Sequence, residues 1–416
     1  MLIKRDVQVL VSGAGPVGLV TALYLNRRGV RVALVDEQMR TTARSYACAI
    51  HPQTLELLDE IGVASELISR GQRVDSFAYY DGSERKVEAK YGQLGGRFPF
   101  LLIVPQPLLE DALEKRLLAE RVAVQWSHRL AKVEVVQDKA RVLLHKLEHG
   151  TIGYSVARTA WTVTKEDETE VPFVVGADGH RSIIRRQLGI EFAEAAPAQT
   201  FGVWEFMAEG AAISEARVGL GEGKACVLWP MGQGWYRFGF EVEPGEAVEG
   251  RPEKSRQIAL AGDTRHEYLD RGRLVKLIAE RAPWFQLAVK DVAWSMAIRF
   301  ERRLAETFGR GPAWIVGDAA HVAPPVSVQS MNRGLFEAKT LAVELESVAR
   351  TGASGDRLEA WAKARRGEFE ALLKNPITAA ADASPFAREW AKLVGDSLPV
   401  SGDDRAKLLA QVGLIA

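Results

Sequence analysis

The apolar positions at the start of the chain come in short runs separated by a helical stretch. Residues 7–11 and 32–35 are almost all apolar, which indicates two buried strands, and the glycine-rich turn at 13–18 leads into a helix. Residues 52–62 carry an apolar stripe with proline at the start and glycine at the end, which predicts a second helix. Strand, helix and strand in this order are typical of a doubly wound α/β sheet.

Alternation of apolar and polar positions marks the middle of the chain. Residues 74–98 form a short alternating segment that favours strands, and residues 130–175 predict strands joined by turns at Gln137-Asp138 and His149-Gly150. From about 196 to 300 the alternating segments become rich in aromatic residues, which predicts a separate antiparallel sheet. The pattern of apolar positions in the last part of the chain, residues 351–416, predicts helices.

The turn after the first strand has the spacing of a dinucleotide-binding motif. Gly13 permits a tight turn, Gly15 lets the backbone approach a pyrophosphate, and Gly18 lets the helix pack against the strand. Asp36 follows the second strand, where an acid accepts the hydroxyl groups of a ribose. These residues suit NAD and FAD equally.

Four further motifs distinguish FAD from NAD as the expected cofactor. They are Arg44, Pro105-Gln106, Gly176-Ala177-Asp178-Gly179 and Gly317-Asp318-Ala319-Ala320-His321. In series with the first turn, they resemble the single-component FAD-dependent aromatic hydroxylases, which include the p-hydroxybenzoate, phenol and polyketide hydroxylases. The resemblance extends from residue 7 to about residue 350.

The resemblance implies an α/β fold in which a Rossmann-like FAD-binding domain carries an inserted antiparallel β-sheet substrate domain and a helical C-terminal tail. The expected FAD-binding domain comprises residues 1–73, 99–190 and 297–350. The expected substrate domain comprises 74–98 and 191–296, and the tail comprises 351–416.

The resemblance also implies roles for individual residues. Asp318 would bind the ribityl hydroxyls, Asp178-Gly179 would support the pyrophosphate region, and the backbone N–H groups of Met331 and Asn332 would face flavin O2. The catalytic groups stay unknown apart from three candidates in the flavin loop, residues 324–334, namely Pro325, Met331 and Asn332. The full set expected to bind the cofactor is Gly13, Gly15, Pro16, Val17, Gly18, Asp36, Glu37, Arg44, Gln106, Asp178, Gly179, Gly317, Asp318, Pro325, Met331 and Asn332.

The flavin loop departs from the family pattern. Ser327, Val328 and Ser330 replace glycines, and Glu337 replaces the usual aspartate. Side chains therefore occupy space where the family has only backbone, and a positive φ becomes costly at these positions.

The implied activity is that of a monooxygenase. NADPH or NADH would reduce FAD, the reduced flavin would form a C4a-hydroperoxide with O2, and one oxygen would pass to an aromatic or polyketide-like small molecule. Candidate pocket residues are Trp204, Phe206, Trp229, Tyr236 and Phe238, although aromatic residues on alternating strands also form plain core. Another flavin reaction, such as epoxidation, oxygen insertion or reduction, and a non-catalytic FAD-binding scaffold remain open.

Composition narrows the class of partner. The 54 basic and 54 acidic residues balance, so no overall charge favours nucleic acid or an anionic membrane. Only two cysteines are present, which favours a reducing cytoplasm, and no apolar run is long enough to span a membrane. Histidines and cysteines lack the spacing of metal ligands, so no metal is expected. The expected partners are a small aromatic substrate and O2, and a homodimer is left open.

Overall fold

The structure is a computed structural model that describes Ile3 and residues 6–41, 48–152, 158–221, 224–243, 269–323, 326–351, 355–374 and 377–415. In chain order the strands are β1 (Val9–Ser12), β2 (Val32–Val35), β3 (Ala49–Ile50), β4 (Gln72–Val74), β5 (Ser76–Asp81), β6 (Glu84–Lys90), β7 (Leu101–Ile103), β8 (Val124–Gln125), β9 (His128–Val136), β10 (Lys139–Ile152), β11 (Arg158–Val171), β12 (Phe173–Gly176), β13 (Phe192–Glu209), β14 (Ala216–Gly221), β15 (Lys224–Gly232), β16 (Trp235–Val242), β17 (Ala288–Ala305), β18 (Gly309–Arg310), β19 (Ala313–Ile315), β20 (His321–Val322), β21 (Thr378–Ala379) and β22 (Leu414–Ile415). The helices are α1 (Pro16–Arg27), α2 (Pro52–Ile61), α3 (Ala64–Arg70), α4 (Gln106–Ala119), α5 (Ile183–Gln187), α6 (Arg271–Arg281), α7 (Gln329–Thr351), α8 (Asp356–Lys374), α9 (Pro385–Ser397) and α10 (Asp404–Gln411).

The doubly wound sheet predicted from the N-terminal pattern is present. Its strand order is β18-β19-β12-β1-β2-β8, and every neighbouring pair from β19 to β8 is parallel. All four residues of β1 are buried, as expected of a parallel strand covered on both faces. The second predicted helix is α2, which begins at Pro52 and ends before Gly62 at φ 86°.

A second, larger sheet has the order β20-β17-β13-β16-β15-β14-β5-β6. It is antiparallel as expected, except that β5 lies parallel to β14. Through that pair, the strands of segment 74–98 extend the same sheet as the strands of segment 192–305. The larger sheet is therefore built from segments that are far apart in the sequence.

One predicted turn is confirmed and another is wrong. Gln137 has φ 55° in the turn between β9 and β10. His149 and Gly150, in contrast, lie within β10, where they pair with β11 opposite Trp161 and Ala160. The strand continues through a glycine because its partner strand keeps the backbone hydrogen-bonded.

The two faces of the larger sheet belong to different cores. One face packs with the loop containing Val326 and Val328 and with the C-terminal segment around Leu398 and Val400. The opposite face packs against α6 and the residues around Phe285. Because side chains alternate along a strand, neighbouring aromatic residues are divided between the two cores.

Candidate functional site

Four parallel strands end at the same edge of the doubly wound sheet, and each is followed by a segment singled out in the sequence. The turn at Gly13 follows β1, Asp36 follows β2, Ala177-Asp178 follows β12 and Gly317-Asp318 comes shortly after β19. The carboxyl edge of such a sheet is where ligands bind in doubly wound folds. Motifs separated by about 300 residues are thus brought to one place.

The first turn leaves room at the start of α1. Gly13 has φ 104°, and a Cβ there would lie 2.2 Å from the carbonyl oxygen of Ala177. A Cβ at Gly18 would lie 1.8 Å from the carbonyl oxygen of Gly13. At Gly15 no atom lies within 4 Å of a Cβ position, so the backbone there is open to a ligand. Helix α1 begins at Pro16 directly behind this opening, where its N-terminus favours an anionic phosphate.

Asp36 is held rigidly at the end of β2. Its carboxylate accepts hydrogen bonds from the backbone N–H groups of Ala14, at 2.6 Å, and Gln38, at 2.8 Å. Burial raises the pKa of Asp36 despite these two bonds, and the pKa of the neighbouring Glu37 is raised by burial and by Asp36. The Asp36 carboxylate retains lone pairs that can accept ribose hydroxyls.

Asp178 presents a buried acceptor at the same edge. Its Oδ2 accepts the backbone N–H of Ile183 at 2.8 Å, whereas Oδ1 is buried and has no hydrogen-bond partner among the described residues. Burial raises the pKa of this carboxyl group. A buried acceptor without a donor is costly, so Asp178 suits a ligand that supplies an N–H or O–H group.

Asp318 lies on a short 3₁₀ turn, Gly317–Ala319, shortly after the end of β19. Its side chain is exposed to solvent, yet the surrounding protein atoms are numerous enough that desolvation raises its pKa. The turn is fixed from behind by Glu337, which accepts the backbone N–H of Gly317 at 3.0 Å and the Nε2–H of buried His321 at 2.6 Å. The glutamate that replaces the usual aspartate therefore positions the turn that carries Asp318.

The flavin loop returns to the start of α7 with Val328 in the left-handed region, at φ 50°. Asn332 braces the loop: its Nδ2 donates to the carbonyl oxygens of Val328, at 2.8 Å, and Ala49, at 3.1 Å. The hydroxyl of Ser330 accepts the backbone N–H of Ala323 at 2.7 Å. The loop thus keeps a positive φ although its glycines have been replaced.

A buried histidine joins this loop to the C-terminal segment. His51 Nε2 lies 3.0 Å from the carbonyl oxygen of Ser327, so this nitrogen carries the proton, and Nδ1 accepts the hydroxyl of Ser401 at 2.6 Å. Burial lowers the pKa of His51 to about 3, so the ring is neutral. Nearby, Gln329 Nε2 donates to the carbonyl oxygen of Val400 at 2.6 Å. Sequence reasoning missed His51 and Ser401, since 350 residues separate them and no motif marks either.

The sequence profile of a family described as "FAD binding domain" matches residues 6–375. The chain belongs to this family. Its residues fit FAD on three observations: the open backbone at Gly15, the buried acceptor of Asp178 without a donor among the described residues, and the solvent-exposed carboxylate of Asp318 at the same sheet edge.

Named relatives of this FAD-binding chain are monooxygenases. It is 30% identical over 377 residues to 6-methylpretetramide 4-monooxygenase of Streptomyces rimosus, an alignment that spans 90% of this chain and 62% of the relative. It is 26% identical to pentachlorophenol 4-monooxygenase of Sphingobium chlorophenolicum over 89% of this chain and 64% of the relative. The chain thus spans less than two thirds of the length of these two relatives.

The fold is also shared with a solved structure. The p-nitrophenol 4-monooxygenase from Pseudomonas putida DLL-E4 superposes with a TM-score of 0.71 at 20% identity, covering 98% of this chain and 96% of that one. At this identity the likeness establishes the shared fold alone.

Of the residues predicted to bind FAD, Arg44 and Pro325 lie outside the described residues. Val17 lies against Gly317 and Gly334, where a Cβ would approach its methyl groups to within 3.0 Å. Gln106 begins α4 and donates to Glu110 at 2.6 Å. Gly179 follows Asp178 with φ 74° in open surroundings. Met331 is partly buried and packs against two hydrophobic cores, that of the doubly wound sheet and that of the larger sheet next to the flavin loop.

The predicted aromatic pocket divides between the two faces of the larger sheet. Of its five residues, only Trp229 lies on the face that packs with the flavin loop. Four lie on the opposite face, at most 2% exposed, in the aromatic core beneath α6: Trp204, Phe206, Tyr236 and Phe238. All five are thus buried in a core, and of the five Trp229 alone lies on the face next to the flavin loop, with 4% exposure.

An ion pair that sequence reasoning missed lies on the face next to the flavin loop. Arg237 donates from Nε, at 3.2 Å, and Nη2, at 2.7 Å, to Oε2 of Glu205. The same arginine hydrogen-bonds to the thiol of Cys48, whose pKa burial raises to about 11. Its guanidinium carbon lies 5.2 Å from the ring centre of Trp294. The alternation of side chains along β13 and β16 predicts that Glu205 and Arg237 share one face of the sheet. It does not indicate which face borders the flavin loop.

Among the residues that the structure describes, no group of three or more histidine, cysteine, aspartate or glutamate residues is arranged to hold a metal ion. Within the same part of the chain, no helix combines the length and the apolar character required to cross a membrane.

Proposed function

We propose that this chain is an FAD-dependent monooxygenase that uses NADPH or NADH and O2 to hydroxylate an aromatic or polyketide-like small molecule. The observation that carries the proposal is the arrangement of Asp36, Asp178 and Asp318 at one sheet edge, with the flavin loop leading to an aromatic sheet face. The monooxygenases named among the relatives support the reaction class. When bound, FAD supplies the acceptance of reducing equivalents and the activation of O2.

The chain itself contributes binding, charge stabilisation and exclusion of water. In this proposal the three aspartates and the opening at Gly15 hold the cofactor, together with Arg44, Gln106 and Pro325. The backbone N–H groups of Met331 and Asn332, in the first turn of α7, stabilise negative charge on the reduced ring. The apolar cluster that includes Val326, Val328 and Trp229 keeps water from the reacting groups.

The partners follow from the same proposal. The reduced nicotinamide cofactor binds transiently, because the sequence holds one complete dinucleotide fingerprint. We propose a cytoplasmic location, which is supported by two cysteines that are both buried and unpaired. The residue ranges 1–73, 99–190 and 297–350 form the proposed FAD-binding domain.

The test is release of the bound flavin by acid, followed by its mass, and then oxidation of NADPH and NADH with a panel of phenols. The expected results are FAD and a rate of oxidation that at least one phenol stimulates. Recovery of FMN would contradict the cofactor. Oxidation that no ligand stimulates would favour the FAD-binding scaffold instead.

A further inference from the structure

A row of four side chains crosses the larger sheet on the face next to the flavin loop. The strand register places Trp294 beside Glu205, Glu205 beside Arg237, and Arg237 beside Trp229. With adjacent strands about 4.8 Å apart, the row extends over roughly 14 Å. An ion pair thus lies between two tryptophans on a face that is otherwise mainly apolar.

Only one oxygen of the Glu205 carboxylate is used by this ion pair. Both bonds from Arg237 end on Oε2, and Oε1 accepts no hydrogen bond from the residues that the structure describes. The Glu205 side chain is 21% exposed, whereas the Arg237 side chain is 5% exposed. Arg237 therefore fixes the carboxylate through Oε2 from the buried side, and Oε1 has no donor among the described residues.

The row lies next to the predicted position of the flavin. Arg237 contacts Cys48, and the next residue, Ala49, accepts a hydrogen bond from Asn332 of the flavin loop. The core cluster on this face is bordered by apolar side chains that are only partly buried: Met231, Trp294, Ile298, Phe300 and Met331. Partly exposed apolar side chains around a fixed carboxylate are the composition of a ligand cleft.

We propose that Glu205, held by Arg237, accepts a hydrogen bond from a hydroxyl group of the substrate and so selects flat phenols whose hydroxyl is free and neutral. Trp294, which is partly exposed, supplies aromatic surface for the ring system. A substrate carboxylate is disfavoured, because it would bring a second negative charge against Glu205. This inference rests on the proposed function only for the position of the substrate relative to FAD.

The test measures equilibrium binding to the FAD-loaded protein, from the change in flavin absorbance and, independently, by calorimetry. The probes are 2-naphthol, 2-methoxynaphthalene and 2-naphthoate, which share two flat rings and differ in the polar group. For the wild type, 2-naphthol should bind roughly tenfold tighter than its methyl ether, the size of one charge-assisted hydrogen bond. It should also bind tighter than 2-naphthoate.

Two variants separate the carboxylate from the fold. Glu205→Leu with Arg237→Met removes both charges together, so no buried charge is left unpaired, and it should reduce the preference for 2-naphthol to less than about twofold. Glu205→Gln keeps the shape and a neutral acceptor, so it should give an intermediate preference.

The same sheet offers a matched control on its other face. Arg217 donates to Glu215 at 2.8 Å and lies 5.5 Å from the ring centre of Trp284. Glu215→Leu with Arg217→Met should leave the preference for 2-naphthol unchanged.

Equal binding of 2-naphthol and its methyl ether by the wild type, or a preference that survives Glu205→Leu with Arg237→Met, would overturn the role of Glu205. A preference that this variant abolishes supports the role even if no phenol stimulates oxidation of NADPH or NADH, in which case the proposed activity fails alone.

Discussion

Val328 combines a left-handed backbone with a buried β-branched side chain. Its φ is 50° and its exposure is 8%. A β-branched residue in this region crowds its own backbone, at a cost of about 1–2 kcal/mol. The loop conformation is therefore maintained by its surroundings, mainly the bonds from Asn332 and His51, rather than by local preference.

Replacing Val328 with glycine should cost less stability than the same replacement at Val326. Both side chains are buried in one cluster, at 8% and 6% exposure, but only Val328 has a positive φ. The two variants lose the same apolar group, so relief of backbone strain should make Val328→Gly about 1–2 kcal/mol less destabilising. Urea unfolding measures both values, and equal losses would show that the valine is unstrained.

His51 should make the protein less stable as the pH falls below 6.5. Burial lowers its pKa from 6.5 to about 3, so between these values the unfolded chain binds a proton that the folded chain does not. The free energy of unfolding should therefore fall by up to about 1.4 kcal/mol per pH unit in this window, with no such contribution above it.

The measurement is urea unfolding of the wild type and His51→Gln at several pH values from 7.5 to 4.5. The difference between the two slopes isolates the histidine from the titrating carboxyl groups. Identical slopes for the wild type and His51→Gln would contradict a neutral buried ring.

At the scale of elements, the C-terminal segment closes the flavin loop from the side of the larger sheet. Ser401 and the Val400 carbonyl bind His51 and Gln329, while the Tyr91 hydroxyl donates to the Pro399 carbonyl at 2.8 Å. This segment lies beyond the residues matched by the family profile, which end at 375. The loop is thus positioned by a part of the chain outside the matched region.

Ser401→Ala should loosen the loop without removing FAD. The His51 ring then loses its donor, which costs about 1–3 kcal/mol at a buried site. If the proposed activity is correct, the hydrogen peroxide released per NADPH or NADH consumed should rise, because water reaches the ring. Ser397→Ala is the control, since Ser397 is equally buried in the same segment but bonds to Val394 and Tyr79. Equal peroxide yields in both variants would contradict a role of the C-terminal segment in positioning the flavin loop.

The sequence predicted elements better than it predicted the site. The turn at Gly13 and helix α2 depend on glycine and proline geometry, which is local and can be read directly. The division of Trp229 from Trp204 depends on which sheet face meets the flavin loop, which is a tertiary contact. The bond between His51 and Ser401 likewise exists only after distant segments pack together.

At the scale of the whole molecule, cofactor binding and stability should be coupled. Asp318→Ala removes one proposed charge-assisted hydrogen bond to FAD, so the dissociation constant should rise tenfold to hundredfold, equivalent to about 1.5–3 kcal/mol. The thermal midpoint at a fixed FAD concentration should fall as this dissociation constant rises, because a ligand that binds only the folded state stabilises it by RT ln(1 + [L]/Kd).

Titration of the apoprotein with FAD, followed by flavin fluorescence, measures this change. Asp138→Ala, at an exposed aspartate between β9 and β10, should bind FAD like the wild type. Unchanged affinity in Asp318→Ala would place the cofactor elsewhere.

The parallel pair β5 and β14 has a consequence during synthesis of the chain. Strand β14 begins at Ala216, 135 residues after β5 ends at Asp81. At roughly 5–20 residues per second, a ribosome needs roughly 7–27 seconds to deliver that partner. Throughout this interval the hairpin of β5 and β6 presents an unpaired edge with the apolar side chains of Phe77 and Tyr79, a template for aggregation. A chaperone that holds the nascent chain should therefore raise the yield of folded protein more than one that acts after release.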